Sequence, residues 1–267
     1  MLFLISPAKS LDYETRVPAV LRRHASEPLY LDQASALIGL MRKHTKAQVA
    51  ALMDLSPALA ELNVARYAAW SREHTPHNSK PAVLAFDGDV YAGLDAKTLS
   101  TPELRWAQEH VVILSGLYGA LRPLDQLQPY RLEMGTGLRN PRGRDLYAYW
   151  GDTVAEHLNA RQAEVAAPVV VNLASIEYAR VALRQVLRAR VIDCMFEDWK
   201  DDGYKIISFF AKQARGRMAR WAVQERVRSV KKLEAFSAAG YSFAREASSR
   251  DRLVFRRRID VSRIATA

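Results

Sequence analysis

Short runs of apolar and β-branched residues punctuate this chain at intervals. Several of them contain almost no polar residue, which is typical of strands buried on both faces of a sheet. The acidic turn Glu197–Gly203, between two of the runs, predicts a hairpin. The runs that predict strands are Met1–Ile5, Ala82–Phe86, Val111–Leu114, Pro168–Ser175, Val191–Phe196, Tyr204–Phe210 and Leu253–Arg258.

Apolar residues at helical spacing occupy much of the remaining chain. From Leu29 to Trp70 they predict successive helices, in which Thr45 with Gln48 forms a capping box and Ser56 caps a helix that begins at Pro57. Strands that alternate with helices predict a mixed α/β fold in a single domain, residues 1–267, with residues 34–70 as a helical excursion. Further helices are expected near Thr101–His110, Leu146–Arg161, Tyr178–Leu183 and Ala211–Val227.

Charge narrows the class of partner. The chain has 39 Lys and Arg against 29 Asp and Glu, a formal net charge of +10, which favours a polyanion such as nucleic acid over a membrane surface. No apolar run approaches the roughly 20 residues that span a bilayer, and no basic leader precedes the first strand, so we expect a cytoplasmic protein and a monomer. The single cysteine, Cys194, lies in a predicted strand without an evident neighbouring cation, so we expect an inert core residue.

The segment from Ser115 to Gly135 is the first candidate for a functional site. It follows the apolar run Val111–Leu114 and combines glycines, prolines, arginines, tyrosines and carboxylates. A simple connection would be shorter. Glycine lets the backbone approach a bound group closely, and arginine offers a planar fork to phosphate or carboxylate. The sequence therefore predicts that the site lies in this segment.

Polar side chains at strand ends and helix starts are expected to converge on one cleft, because α/β proteins bind ligands at the carboxyl ends of their strands. With Tyr118, Tyr130 and Tyr178 available to stack on bases, the cleft would hold an extruded nucleotide, although a tyrosine at such a position is more often a core residue. The polar groups expected there are Lys9, Arg122, Arg131, Lys205, Lys212, Asn172 and Ser175.

Four carboxylates, Asp87, Asp89, Asp125 and Glu133, lie in the predicted loops. They are candidates for Mg²⁺ binding or acid–base work. The alternative, which we favour, is that they form turns and pair with arginines. The histidine pair in residues 74–77 has no third ligand nearby, so no metal and no cofactor are expected.

One stretch, residues 212–232, is basic with Glu225 as its only acid. A solvated helix face normally mixes both signs. Ala214, Met218 and Trp221 recur at helical spacing and predict an inward face, which leaves the arginines outside to contact nucleic-acid phosphates; an ordinary basic surface is the alternative. The basic residues are Lys212, Arg215, Arg217, Arg220, Arg226, Arg228, Lys231 and Lys232.

Four phrases in the chain have a characteristic order and spacing: LISPAK at residues 4–9, GDVYAG at 88–93, LSGLYGALRPLD at 114–125 followed by QPYRLEMG at 128–135, and KIISFFAKQARG at 205–216. Together they resemble the YaaA family of bacterial proteins, which is associated with resistance to peroxide stress. The resemblance covers essentially the whole chain. It implies a mixed α/β fold whose central sheet has an unusual topology, a positively charged cleft, and binding of double-stranded DNA; it implies no known reaction.

The resemblance also implies a helix-hairpin-helix element. It would comprise Ala47–Leu55, a turn around Leu59–Asn63, and Val64–Trp70. Such hairpins usually carry glycines that expose backbone N–H groups to DNA phosphates. Here Glu61 and Asn63 stand at those positions, so a helical pair that packs its own Leu and Met residues into the core is an equal alternative.

Two functional hypotheses result. The leading one is a protein of the peroxide stress response that binds double-stranded DNA through phosphate contacts with little sequence specificity. Its expected DNA-binding residues are Lys9, Arg122, Arg131, Lys205, Lys212, Arg215, Arg217, Arg220 and Arg228. The alternative is an enzyme that acts on a nucleotide or damaged base in the same cleft. Its candidate catalytic residues are Ser6, Lys9, Tyr130, Glu133 and Asn172, with Arg122 as a further cleft residue.

Overall fold

A computed structural model describes residues 1–258; residues 259–267 of the predicted domain lie outside that range. The strands are β1 Leu2–Ile5, β2 Ser10–Leu11, β3 Lys80–Pro81, β4 Phe86–Asp87, β5 Val111–Ser115, β6 Gly119–Leu121, β7 Gln126–Leu127, β8 Val169–Asn172, β9 Arg190–Lys200, β10 Gly203–Lys205, β11 Ser242–Phe243 and β12 Arg252–Arg257. The α-helices are α1 Ala19–Arg22, α2 Leu31–Met41, α3 Lys46–Met53, α4 Pro57–Ala69, α5 Ala82–Ala85, α6 Asp89–Leu94, α7 Thr101–His110, α8 Leu146–Trp150, α9 Thr153–Glu164, α10 Ile176–Ala182, α11 Ser208–Gln224 and α12 Val230–Leu233.

The central sheet is mixed and has the strand order β11-β12-β9-β8-β1-β5-β6, with β10 paired to β9 outside this path. Strands β12, β9, β8, β1 and β5 are parallel, whereas β11, β10 and β6 pair antiparallel with their neighbours. Every residue of β1 and β5 is buried, as expected of parallel strands covered on both faces. The mixed α/β class with a mixed central sheet, predicted from the sequence, is confirmed.

The parallel pairing of β1 with β8 brings two loops together. Leu4 lies opposite Asn172, so both strands end at the same edge of the sheet. The loop after β1 and the loop after β8 therefore lie side by side, and the Ser175 backbone N–H donates a hydrogen bond to Ser6 Oγ at 2.9 Å. This edge carries the candidate site.

The helix caps predicted in the helical excursion, residues 34–70, are confirmed. Thr45 and Gln48 form the reciprocal capping box of α3, and Ser56 caps α4, which begins at Pro57. The helix at Thr101–His110 also has the predicted bounds. None of the helices within residues 1–258 is both long and apolar enough to cross a membrane.

The strand predicted at Ala82–Phe86 is wrong. Residues Ala82–Ala85 form the buried helix α5, and only Phe86–Asp87 are extended, in a short antiparallel pair with β2. A fully buried apolar run carries no periodicity that separates helix from strand. In this run the two alanines and the leucine favour the helical turn.

The turn predicted at Leu59–Asn63 is also wrong, because these residues lie inside α4. The connection between α3 and α4 is residues 54–56, where Asp54 adopts a left-handed conformation with φ of 51°. Asn63 is fully buried and donates from Nδ2 to the Leu59 carbonyl at 2.8 Å, and exposed Glu61 pairs with Lys46 Nζ at 2.6 Å. The expected glycine positions are therefore ordinary helical positions.

Several element boundaries differ from the prediction; the predicted turn Glu197–Gly203, for example, is mostly strand, because β9 continues to Lys200 and β10 begins at Gly203. The helix expected from Leu146 to Arg161 is divided into α8 and α9 at Gly151, whose φ of 49° ends the first helix. The second strand of the predicted hairpin ends at Lys205, and Ser208–Phe210, expected to be extended, form the first turn of the long helix α11. Hydrophobic composition predicted a strand there, although the residues begin a helix whose buried face starts at Ala211.

Helices α6 and α11 cross at two glycines. A Cβ added to Gly216 would lie 1.8 Å from the Val90 carbonyl oxygen, and one added to Gly93 would lie 2.1 Å from the Gln213 carbonyl oxygen. Only residues without a side chain permit backbones to approach this closely. The crossing fixes α11 against α6, whose first residue is Asp89, on one side of the cleft.

Candidate functional site

The candidate site is a cleft of about 480 Å³ at the carboxyl edge of the central sheet. This volume is in the range typical of pockets for small ligands. Its walls come from the loop after β1, the start of α6, one residue of the 115–135 segment, the start of α10, and the first half of α11. The lining residues are Ser6, Pro7, Ala8, Lys9, Ser10, Asp87, Gly88, Asp89, Val90, Glu133, Ser175, Glu177, Tyr178, Lys212 and Arg215.

Glu133 is the most constrained carboxylate of the cleft. Its Oε1 atom accepts from Arg131 Nε at 3.1 Å and lies 3.3 Å from Lys9 Nζ. Its Oε2 atom is buried and has no hydrogen-bond partner within residues 1–258. A buried carboxylate oxygen that accepts no hydrogen bond is unfavourable unless a partner reaches it. Glu133 therefore has one oxygen held by cations and one available to a donor.

The opposite wall is formed by α11. Lys212 Nζ lies 3.7 Å from Asp89 Oδ2 at the mouth of the cleft, and both side chains are partly exposed. One turn further along, Arg215 lines the cleft, and its Nε atom is buried with no hydrogen-bond partner in the described part of the chain. Burial lowers the pKa of Arg215, because the charged guanidinium loses hydration.

The third wall is the first turn of α10. Ser175 Oγ accepts from Ser6 Oγ at 3.4 Å, and Glu177 Oε1 accepts from the Gly135 backbone N–H at 2.8 Å. Tyr178 is buried, and burial raises the pKa of its hydroxyl, so this group stays protonated at neutral pH. These contacts hold the wall in place and supply hydroxyl and carboxylate groups to the cleft.

The cleft thus carries charges of both signs. Three cations, Lys9, Lys212 and Arg215, face four carboxylates, Asp87, Asp89, Glu133 and Glu177. Within residues 1–258, no group of three or more His, Cys, Asp or Glu side chains could hold a metal ion. The arrangement is suited to a polar ligand that carries an anionic group together with hydrogen-bond donors.

The structure brings together some of the predicted site residues and separates others. Ser6, Lys9, Glu133 and Lys212 line the cleft, and Arg131 lies behind Glu133. Arg122 does not reach it: its Nε donates to the fully buried Asp125 at 3.0 Å, and Asp125 also accepts from Ser26 Oγ. The expectation that Arg122 converges on the cleft is therefore wrong, because a buried carboxylate holds its guanidinium.

Lys205 is likewise outside the cleft lining, since it lies in β10 and faces Asp201 of the hairpin turn at 3.6 Å. Asn172 is engaged inside the fold, donating to Asp193 Oδ1 and accepting from the Ala174 N–H. Tyr130 is buried, and its hydroxyl bonds Ser115 Oγ at 2.6 Å. None of these three residues lines the cleft.

The 115–135 segment is mainly a packing element, contrary to the prediction that the site lies in it. Its Gly116 meets the Leu132 carbonyl so closely that an added Cβ would lie 2.1 Å from that oxygen. Tyr118 is fully buried and accepts a hydrogen bond from Trp70 Nε1 at 2.9 Å. Only Glu133 of this segment lines the cleft. Gly116 thus permits close packing of the segment on itself, and Gly119, with φ of 68°, permits close packing against Trp150.

The basic residues of α11 are less exposed than predicted. Ala214 and Met218 are buried as expected, but Arg215 is directed to the cleft, and Arg217 and Arg220 are half-buried. Arg220 Nη1 donates to the Leu94 and Asp95 carbonyls at the end of α6. The prediction that these arginines lie outside is therefore wrong, because α11 packs against several elements rather than one.

Beyond the end of α11, Arg226 and Arg228 are exposed. The pKa of the Met1 amino group is lowered mainly by burial and, to a smaller extent, by the positive charge of Arg228. Arg228 therefore lies near the amino end of β1. The cleft lies at the other end of that strand. The basic residues 212–232 therefore extend along the molecule, roughly 25 Å for the 17 residues of α11.

Cys194 lies in β9, is buried, and has its thiol pKa raised by burial. A protonated, inaccessible thiol is a weak nucleophile. The core assignment predicted from the sequence is confirmed by its burial, but the expected absence of a neighbouring cation is wrong, because the charge of Arg215 acts on the thiol and opposes the rise in its pKa.

Sequence reasoning did not select Glu177, and it assigned Arg215 to the outer face of α11. For Glu177 a signal was present: it is an acid in the first turn of a helix that follows the end of a buried strand. For Arg215 no signal was present, because the position falls between the inner and outer faces of the helix.

The fold and the cleft define an α/β protein with a mixed-charge cleft at the carboxyl edge of a mixed sheet. This chain belongs to the family of peroxide stress protein YaaA, whose family model matches residues 1–247. The resemblance drawn from the four sequence phrases is confirmed.

Bacterial relatives match over nearly their full lengths. A UPF0246 protein of Leptothrix cholodnii is 66% identical over 257 residues, which is 96% of this chain and 98% of the relative. A UPF0246 protein of Methylibium petroleiphilum is 61% identical over 259 residues, 97% of this chain and 100% of the relative. One from Bordetella petrii is 57% identical over 258 residues, with the same coverage.

Proposed function

We propose that this protein acts in the peroxide stress response by binding double-stranded DNA through phosphate contacts with little sequence specificity. The family assignment supports the stress role. A net charge of +10 supports a polyanionic partner. DNA binding of this kind draws most of its affinity from Lys and Arg that displace counterions from phosphates.

One observation carries the proposal: exposed Arg226 and Arg228 form no ion pair with a carboxylate within residues 1–258, whereas their neighbours Lys231 and Lys232 pair with Glu234 and Glu225 at 2.7 Å. An exposed cation without an intramolecular partner is free to exchange its hydration for a phosphate contact. We assign residues 226–232, the basic segment that follows α11 and that we call the basic end of α11, to the DNA-binding surface.

The α3–α4 helix pair is the second surface assigned to DNA. The basis is the family resemblance together with two exposed lysines: Lys43, which precedes α3, and Lys46, the first residue of α3, which pairs with Glu61. Its contact residues would come from the 54–56 connection and these lysines, rather than from Glu61 and Asn63. Because α4 is capped by Ser56, its first turn is already formed before DNA arrives.

The test is fluorescence anisotropy of a labelled duplex measured over a range of salt. If about four to six phosphates are contacted, the log–log slope of affinity against salt should be near −4 to −5, and scrambling the sequence should change affinity little. Arg226→Glu with Arg228→Glu should weaken binding at least tenfold. The matched control is Arg139→Glu with Arg144→Glu, which reverses two exposed arginines in a loop and changes the net charge equally.

A slope near zero with affinity retained would contradict the phosphate-contact proposal. Equal losses in both double variants would assign the effect to net charge instead of to the basic end of α11. A third pair, Lys43→Glu with Lys46→Glu, measures the contribution of the α3–α4 surface separately, and no loss there would remove that surface from the proposal.

The second candidate function is an enzyme that acts on a nucleotide or damaged base in the cleft. It is favoured by the buried Glu133 Oε2 atom without a hydrogen-bond partner in the described chain, beside Ser6 and Lys9. A carboxylate held by two cations on one oxygen can accept a proton or an N–H group on the other. The test is chromatography of nucleotides and of oligonucleotides with an oxidised base after incubation with the protein. Turnover lost in Glu133→Gln, with DNA affinity unchanged, is the expected result; no turnover with wild type rejects this candidate.

A further inference from the structure

Arg215 is the least explained charge in the cleft. It lies on α11 between Ala214 and Gly216, both buried, and is one of the residues that line the cleft, one turn beyond Lys212. No hydrogen bond and no ion pair to a carboxylate holds it within residues 1–258, and its Nε is buried. By comparison, Arg122, Arg131 and Arg257 each reach a carboxylate within 3.1 Å.

An arginine that is largely removed from water without a partner is unfavourable, and folding alone gives no reason to keep it. Its planar fork matches the oxygens of a phosphate or carboxylate. The burial that lowers its pKa also strengthens its attraction to an anion, because water screens that attraction less. The missing partner is therefore an anionic group that enters the cleft.

The other charges of the cleft restrict what this ligand is. Lys9 and Lys212 remain 67% and 50% exposed in their side chains, so both can turn towards an anion, but each also lies near a carboxylate of the cleft, Glu133 or Asp89. A long polyanion would meet the four carboxylates and be repelled. A compact ligand with one phosphate and several O–H or N–H donors would satisfy both signs.

We propose that Arg215 anchors the phosphate monoester of a small organic phosphate in the cleft, while the carboxylates of Asp89, Glu133 and Glu177 accept hydrogen bonds from the rest of the ligand. The ligand class is the nucleoside monophosphate or a molecule of similar size, which fits a volume of about 480 Å³. This inference deepens the second candidate function and rests on the same cleft. It does not depend on DNA binding at the basic end of α11.

The phosphate could come from two sources, a free mononucleotide or the 5′-phosphate end of a DNA strand. Isothermal titration with inorganic phosphate, thymidine 5′-monophosphate and thymidine separates the anchor from the rest of the ligand. We expect inorganic phosphate to bind weakly, the monophosphate to bind more tightly, and thymidine to bind at least tenfold more weakly than the monophosphate. Competition by a 5′-phosphorylated oligonucleotide, against the same strand without the phosphate, identifies the second source.

Arg215→Gln is expected to reduce affinity for the monophosphate by tenfold or more, and Arg215→Lys, which keeps the charge but loses the fork, should give a smaller reduction. The matched control is Arg217→Gln, two residues along the same helix and outside the cleft lining, with affinity changed less than twofold. A purely structural role for Arg215 predicts a lower melting temperature in Arg215→Gln; removal of an unpartnered buried charge predicts an equal or higher one.

The proposal is overturned if wild type binds neither phosphate nor monophosphate at millimolar concentration, or if Arg215→Gln binds them as well as wild type. Binding without turnover of any nucleotide supports the anchor and rejects the enzyme. If none of the cleft ligands binds, and the affinity for duplex DNA depends steeply on salt, the anchor is rejected and the DNA-binding proposal stays intact. The two proposals therefore fail separately.

Discussion

Replacing a helical glycine by alanine should change the stability of this protein in opposite directions at two positions. One is Gly216, where α11 crosses α6, and the other is Gly39 in α2. In Gly216→Ala, the added carbon would lie 1.8 Å from the Val90 carbonyl oxygen, and ordinary contact requires at least 3.4 Å. The two helices must therefore separate by about 1.6 Å, or bend. In Gly39→Ala, the added carbon has no atom within 4 Å, and Gly39 lies in α2.

Alanine is more favourable than glycine in a helix by about 1 kcal/mol, so Gly39→Ala should be stabilising by up to that amount. At Gly216 the same gain is opposed by overpacking, which, with the backbone shifts that it forces, typically costs up to about 3 kcal/mol and occasionally more. The net loss at Gly216 should be about 2 kcal/mol or more. For a chain of this size, about 2–4 °C in melting temperature corresponds to 1 kcal/mol.

Thermal unfolding followed by circular dichroism should therefore show Gly216→Ala melting roughly 4–8 °C below wild type and Gly39→Ala roughly 2–4 °C above it. The reasoning is refuted if Gly216→Ala melts at or above the wild-type temperature, or if both variants shift in the same direction. Because Lys212 and Arg215 lie on α11, Gly216→Ala should also weaken any ligand of the cleft even where the protein remains folded.

Two further predictions concern titratable groups. Burial, and then the nearby charges of Arg161 and Arg122, lower the pKa of His157 from 6.5 to about 4. The unfolded chain therefore binds a proton at this histidine more readily than the folded protein does. The free energy of unfolding should fall by roughly 3 kcal/mol as the pH decreases from 6.5 to 4. Urea unfolding at a series of pH values measures this dependence. His157→Gln should make stability less dependent on pH between 6.5 and 4, whereas His77→Gln, at an exposed position, should not. The same pH dependence in wild type and His157→Gln would contradict the assignment. Cys194→Val should retain peroxide protection with a stability loss below about 1.5 kcal/mol, and the native thiol should react with a disulfide reagent only on unfolding; loss of protection in the folded variant would indicate a redox role.

The sequence predicted the parts of the fold that depend on local signals. The caps at Thr45 and Ser56 involve residues three positions apart, and β1 and β5 are continuous apolar runs bounded by polar loops. The wrong predictions concern segments whose local sequence gives no signal, or gives a signal that is common to helix and strand. Ala82–Ala85 are buried on all sides, so hydrophobicity alone did not distinguish a helical turn from a strand.

The candidate site was predicted only in part, because convergence is a property of tertiary structure. Lys9 and Ser6 could be located from the rule that ligands bind after parallel strands, and Glu133 from the composition of its segment. Arg122 and Arg215 have the same chemistry in the sequence. Their surroundings in the fold distinguish them. Arg122 pairs with the buried carboxylate of Asp125 and is a structural arginine, whereas Arg215 has no such partner within residues 1–258 and is available to a ligand.

The sheet order has a consequence for synthesis on the ribosome. Strand β1, at residues 2–5, lies in the middle of the sheet, between β5 and β8, and its register pairs Leu4 with Val112 and Asn172. At 5–20 residues per second, this apolar segment lacks at least one of its two neighbouring strands for roughly ten to thirty seconds, until β8 emerges. The cleft, whose two adjoining loops follow β1 and β8, forms only after that, so the N-terminal segment requires protection from aggregation until most of the protein has been made.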